Sequence, residues 1–168
     1  MNNSISIQQL DQADWRQYRD IRLCALKDAP DAFGSTFETS KKYSDTQWQQ
    51  RLGSLKTDTD HPIVAVHNQT FVGLAWGNIE PSNTTTAYLY QMWVSPQHRG
   101  MSIGRAMVQT VIDWAKAQDA KMISLEVTCG NQPAISLYQS MGFEQVGELT
   151  PLRKGSQLLE QSMQLRLD

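Results

Sequence analysis

Ile5, Ile7 and Leu10 alternate with polar residues over positions 4–10, which predicts a first strand. The period then lengthens. Trp15, Tyr18, Ile21, Ala25 and Leu26 recur at spacings of three and four, with Asp11 as a plausible cap. That predicts an amphipathic helix ending before Pro30, because the residue ahead of a proline resists helical geometry. Residues 30–43 show no period and read as loop. Ser44 with Gln47 three residues later is a capping-box signal for a short helix to Leu55.

Strands are predicted at 62–66 and 70–79, joined by the tight turn Asn68-Gln69, which lacks the glycine of the strongest hairpin signal. Residues 81–85 form a polar loop. Residues 88–94 are a nearly continuous apolar and aromatic run, read as a strand covered on both faces. A helix over 102–118 carries Ile103, Met107, Val111 and Trp114 on one face, and 122–127 is a strand. Asn131 caps a helix to Met141, with Pro133 tolerated in its first turn. Residues 143–149 and 157–165 are two last strands around a turn at 151–155.

Neighbouring strands before residue 95 favour antiparallel pairing, and the unit 87–128 implies one right-handed parallel crossover. The fold class is α/β: a mixed, mostly antiparallel sheet of about seven strands flanked by about four helices. The chain has 168 residues, one domain's length, so residues 1–168 read as a single domain. A net charge of −2 gives no basic footprint for nucleic acid. Cys24 and Cys129 make no disulfide framework, and His61, His67 and His98 show no metal-ligand spacing, so no metal is expected. The N-terminus lacks a basic segment followed by an apolar run, and no stretch is long enough for a membrane helix. The expected setting is soluble and cytoplasmic.

The informative stretch is Val94-Ser95-Pro96-Gln97-His98-Arg99-Gly100-Met101-Ser102-Ile103-Gly104-Arg105, between a strand and a long helix. A Gly- and Ser-containing turn there leaves backbone N–H groups without helical partners, and the helix adds partial positive charge. Together these suit a phosphate or pyrophosphate, although a plain strand-to-helix connection with two glycines also fits. Arg99 and Arg105 add charge. A Walker loop needs Lys after its last glycine, and a dinucleotide fingerprint needs a third glycine; neither matches. The second stretch is Asn131-Gln132-Pro133-Ala134-Ile135-Ser136-Leu137-Tyr138, closed by Gly142-Phe143. Tyr138 lies two turns after Asn131, so both project on one side. A core tyrosine on a capped helix would look the same.

Taken together, the two stretches resemble the GNAT superfamily of acyl-CoA-dependent N-acetyltransferases. Arg99-Gly100-Met101-Ser102-Ile103-Gly104 resembles its Arg/Gln-x-x-Gly-x-Gly/Ala motif. Residues 131–143 match its Asn-x-x-Ala-x-x-Leu-Tyr-x-x-x-Gly-Phe pattern. Arg22-Leu23-Cys24-Ala25-Leu26-Lys27-Asp28-Ala29-Pro30-Asp31-Ala32-Phe33 also looks like one branch of the family. Ser102 stands where the family usually has glycine; a helix already begun there would suit serine equally well.

The resemblance implies acetyl-CoA as cosubstrate. It implies that the strand Met92, Trp93 and Val94 pairs with the pantetheine arm, Met92 and Val94 through their backbone. The amides of Arg99, Gly100, Met101, Ser102, Ile103, Gly104 and Arg105 would hold the pyrophosphate. Asn131 would contact the cofactor near the thioester, and Tyr138 would act as general acid on the leaving thiolate. The acceptor would be a primary amine on a small molecule or peptide, attacking directly. A homodimer is one arrangement the resemblance allows, with no nucleic-acid or membrane partner. The general base is open among Glu38, Glu80 and Glu126, each of which also reads as a surface acid. Cys129 reads as a small hydrophobe, His98 as a solvated loop residue. Trp76 and Trp93 could line an acceptor pocket or simply pack. The alternative function is a non-catalytic acyl-CoA-binding sensor or partner module.

Overall fold

The computed structural model describes residues 4–56 and 58–168. Residues 1–3, part of the segment read for a leader, lie outside the described residues. The elements are β1 (Ser6–Gln9), α1 (Trp15–Asp28), α2 (Phe37–Ser40), α3 (Asp45–Gly53), β2 (Asp60–His67), β3 (Thr70–Ile79), β4 (Thr86–Val94), α4 (Ile103–Ala117), β5 (Met122–Thr128), α5 (Gln132–Ser140), β6 (Glu144–Pro151) and β7 (Leu159–Arg166). The seven strands form one sheet in the order β1-β2-β3-β4-β5-β7-β6. Every neighbouring pair is antiparallel except β4 with β5. This is the mixed α/β architecture expected. The fifth helix, α2, is a single turn inside the stretch read as loop. Thr36 caps it, its hydroxyl accepting from the Thr39 amide at 3.3 Å.

Local signals set most boundaries. The Ser44–Gln47 capping box forms, starting α3 as expected. Asn131 accepts from the Ala134 amide and starts α5. Asn68 and Gln69 both adopt positive φ (48° and 63°), so the β2–β3 hairpin closes without glycine.

Two apolar cores lie on opposite faces of the sheet. On one, α4 lays Ile103, Met107, Val111 and Trp114 against Ile63, Ala75 and Leu89. On the other, Trp15, Tyr18, Ile21 and Leu26 of α1 meet Trp48, Val64 and Trp93. Among the described residues no helix is long and apolar enough to cross a membrane.

Two departures from regularity open the centre of the sheet. The β3–β4 register slips between Leu74 and Trp76, opposite Gln91, whose φ is +57°. The parallel ladder of β4 with β5 covers only residues 86–89 against 122–125. Past Leu89 and Leu125 the two strands part. Strand β4 was expected to be covered on both faces. Instead Tyr90 is 44% exposed, its ring stacked 6.0 Å from that of Tyr88, because the parted strands leave that face open.

Candidate active site

The parting of β4 and β5 makes a cleft of about 960 Å³. It is continuous from the start of α4, past the strand ends, to α1 and the β6–β7 turn.

At its α4 end, the chain leaves β4, passes Pro96–His98 in a tight turn, and enters the helix. Gly100 has φ +78°, and an added Cβ there would meet nothing within 4 Å, so this glycine serves the turn rather than packing. Ser102 also adopts a left-handed conformation (φ 61°, ψ 16°). The expectation that a right-handed conformation would make serine equivalent to glycine is therefore wrong. The helix begins one residue later, and the family's usual glycine matches the backbone required at this point. The first helical bond runs from the Ala106 amide to the Ser102 carbonyl at 3.1 Å. None of the amides of residues 100–105 has an acceptor among the described residues. This is a row of unused donors at the positive end of a helix dipole, suited to an anion. Gly104 sits in the wall, where a Cβ would come within 3.2 Å of both Leu137 and Met92. It lets α4, α5 and β4 converge.

The two arginines divide their roles. Arg105, exposed at the cleft, reaches Ser140 Oγ at 2.5 Å and has no carboxylate partner among the described residues. Arg99 does not offer a free charge. Its Nε donates to the Val94 carbonyl at 3.0 Å and its Nη2 to Asp28 at 2.7 Å. Asp28 also accepts from Trp93 Nε1 at 2.9 Å. Arg99 thus ties the loop to the end of α1, and Trp93 both packs in the α1 core and lines the cleft, its indole N–H held by Asp28. Met92 and Val94 line the cleft along the unpaired stretch of β4.

Asn131 and Tyr138 face the same cleft from α5. The Asn131 Nδ2 donates to no described residue. Tyr138 is 5% exposed and tilts against Phe143 at 5.7 Å between ring centroids. Its hydroxyl has no hydrogen-bond partner among the described residues and is not among the sealed polar atoms. Burial pushes its pKa well above the ordinary tyrosine value.

The other half of the cleft was largely unread in the sequence. Of the three acids considered as a base, only Glu126 lines it. Glu38 pairs with Lys41 on α2 at 2.6 Å, away from the cleft, and Glu80 lies beyond β3. Glu126 accepts from Ser162 Oγ at 2.5 Å. Glu160, on the same sheet face of β7, was not singled out. Partial burial, then the charge of Glu126, raises its pKa. Tyr90 is raised by burial, then by Glu80 and, more weakly, Glu126.

A roof covers this half. Arg153 donates to the carbonyls of Pro30, Phe33 and Gly34 at 2.7, 2.7 and 3.3 Å. Thr128 donates to the Asp31 carbonyl at 2.6 Å. The α1–α2 connection is thus fastened to the end of β5 and to the β6–β7 turn. His98 is not simply solvated: its Nε2 lies 3.1 Å from His67 Nδ1. Cys129 does not line the cleft, and its amide pairs with the Leu159 carbonyl. Among the described residues no cluster of His, Cys, Asp or Glu has the makings of a metal site.

The Acetyltransferase (GNAT) family model matches residues 9–143, and the chain belongs to that family. N-acetyltransferase 8 of Rattus norvegicus is 40% identical over 68 residues, 40% of this chain and 31% of that protein. Mycothiol acetyltransferase of Brachybacterium faecium is 29% identical over 107 residues, 62% of this chain and 32% of the relative. The chain thus spans under a third of the length of these curated relatives. A GNAT-family acetyltransferase from Streptococcus pneumoniae superposes with a TM-score of 0.82 at 16% identity, covering 98% of this chain and all of the other. The yncA protein of Salmonella typhimurium, solved with its cofactor acetyl-CoA, gives 0.80 at 21% identity over 99% of this chain and 95% of the other. These likenesses show the fold.

Proposed function

We propose that the chain transfers the acetyl group of acetyl-CoA to a primary amine by direct attack. The observation that carries this reading is the coincidence, in one cleft, of the unused amides of residues 100–105 and the unpartnered Tyr138 hydroxyl. The amides and Arg105 bind the pyrophosphate. Met92 presents its backbone and Val94 its amide to the pantetheine arm, the Val94 carbonyl being held by Arg99, and Asn131 offers its amide near the thioester. The cosubstrate supplies an activated acetyl thioester.

The amine lone pair adds to the thioester carbonyl carbon and the C–S bond breaks. Tyr138 gives its proton to the departing sulfur. The amine's surplus proton leaves toward Glu126 or Glu160, the carboxylates lining the acceptor half. Partial burial and the Glu126 charge favour a proton on Glu160, which suits it to this task. Tyr138 then regains its proton from the pool. The alternative of a sensor module that binds acyl-CoA without turnover has no use for a free phenol there.

Calorimetry with acetyl-CoA, followed by turnover with a panel of primary amines, tests the reading. Binding far stronger than that of pantetheine, together with acetylation of at least one amine, is expected. Binding without turnover of any amine would leave the sensor module in its place.

A further inference from the structure

Arg22 is the buried group that the mechanism above does not use. It sits on the inward face of α1, 6% exposed, and lines the cleft. Its Nη1 is sealed from solvent and has no hydrogen-bond partner. Neither Nε nor Nη2 donates to any described residue. The Phe33 ring lies 4.6 Å from the guanidinium carbon, which accounts for one face of the fork but for none of its five N–H donors. After burial itself, the electrostatic neighbours are Tyr18, which raises the Arg22 pKa, and then Arg51, a second cation, which lowers it. Burial pushes the Arg22 pKa down to about 10, so the group remains charged at neutral pH. The Asp28 carboxylate, at the end of the same helix, is committed to Trp93 and Arg99.

A buried cation with no acceptor is costly to keep. Nε and Nη2 are not sealed as Nη1 is, so a ligand in the cleft can bring an acceptor to that edge of the fork, and the edge matches a carboxylate in two parallel bonds. The phosphates of the cosubstrate are served elsewhere. Their amide row opens α4, on the sheet face opposite to α1. The anion facing Arg22 therefore belongs to the other substrate. The same half of the cleft carries Glu126 and Glu160 on β5 and β7, which face an ammonium group favourably. A ligand with one end of each sign fits both. The roof held by Arg153 and Thr128 limits it to a small molecule.

We propose that Arg22 anchors the carboxylate of a small amino-acid acceptor, with Glu126 and Glu160 toward its amine end, an inference that rests on the acetyl-transfer reading above.

The test is calorimetric binding of the free L-amino acids to the full chain loaded with CoA. Each binder is compared with its carboxamide and its decarboxylated amine. At least one amino acid should bind, with its carboxamide and amine weaker by about tenfold or more, the value of a charged hydrogen bond. Arg22→Met should abolish that preference while leaving CoA affinity unchanged. It should also keep or raise the melting temperature, since it removes an uncompensated buried charge. Arg22→Lys, which keeps the charge without the fork, should retain part of the preference.

Equal binding of acid and carboxamide overturns the proposal, as does the absence of any amino-acid binder. Loss of CoA affinity in Arg22→Met would assign the anion to the cosubstrate instead. A lower melting temperature in both variants, with acid and carboxamide still discriminated, would make Arg22 a packing residue. If the wild-type chain binds no CoA, the acetyl-transfer reading itself falls, and this inference with it.

Discussion

The Tyr18 phenol donates to Gln91 Oε1 at 2.9 Å, joining α1 to β4 across 73 residues of sequence. Gln91 is the only non-glycine residue of the described strands with positive φ. The bond therefore holds the point where β4 leaves its regular register and begins to part from β5. Tyr18→Phe keeps the ring, which packs between Trp48 and Trp76. It leaves a partly buried acceptor unsatisfied, a loss of about 1 kcal/mol. A fall of a few degrees in melting temperature is expected, as is a higher KM for acetyl-CoA with kcat little changed. Gln91→Gly suits the backbone but loses the Tyr18 bond, so it should behave like Tyr18→Phe, whereas Gln91→Val, which also resists left-handed backbone, should lower stability and acetyl-CoA affinity further.

Ser102→Gly should stabilise the protein. Serine in a left-handed conformation is strained by about 1–2 kcal/mol, of which glycine's greater freedom in the unfolded chain takes back about half. The Ser102 side chain makes no capping bond that would be lost. Urea denaturation should show a higher midpoint at unchanged slope, with acetyl-CoA still bound. A lower midpoint would mean that the hydroxyl serves the folded state in some other way.

Tyr138→Phe separates chemistry from packing cleanly, because the hydroxyl has no protein partner to lose. Turnover should fall by about a hundred- to ten-thousand-fold, with melting temperature and CoA affinity unchanged. Burial raises this pKa, so the proton stays on the phenol above the ordinary value near 10. The wild-type rate should therefore show no alkaline decline from this group up to about pH 10. Turnover by the Phe variant equal to wild type across that range would remove Tyr138 from the mechanism.

Asp28 should make stability depend on acid. Hydrogen bonds from Trp93, then from Arg99, hold its carboxyl below the usual value. A depressed folded pKa contributes stability that is present above the unfolded value, about 3.9, and lost as pH falls through the folded one. The stability gap between wild type and Asp28→Asn should therefore be largest near neutrality. It should shrink as the pH drops below about 4. Thermal melts of both proteins from pH 3 to 7 would show this, and a constant gap would contradict it.

Local signals were legible wherever one short stretch does the whole job. Ser44 with Gln47, Asn131 as a cap, and the amide-rich turn after β4 each act within a few residues of themselves. What escaped depends on distant partners. Arg153 reads as a surface charge until it meets three carbonyls about 120 residues away. Glu160 stands in a polar alternation that any edge strand would show. Arg22 lies on the apolar stripe of α1, where a long side chain usually runs out to solvent. Its isolation becomes visible only when every neighbour is in place. The left-handed backbone of Ser102 was hidden because serine tolerates more than one conformation, and the helix start was placed one residue early.

Where β4 and β5 part, the middle of the sheet is a seam closed by side chains and by whatever lies in the gap. Four register pairs of β4 with β5, and the Thr85 carbonyl accepting from Lys121 and Met122 beside them, join the two halves of the sheet through their backbones. Filling the seam and resisting unfolding are then a single thermodynamic quantity. A ligand at a hundred times its dissociation constant adds about 2.7 kcal/mol to the folded state. Its presence would also slow hydrogen exchange on both sides of the gap, far beyond the atoms it touches.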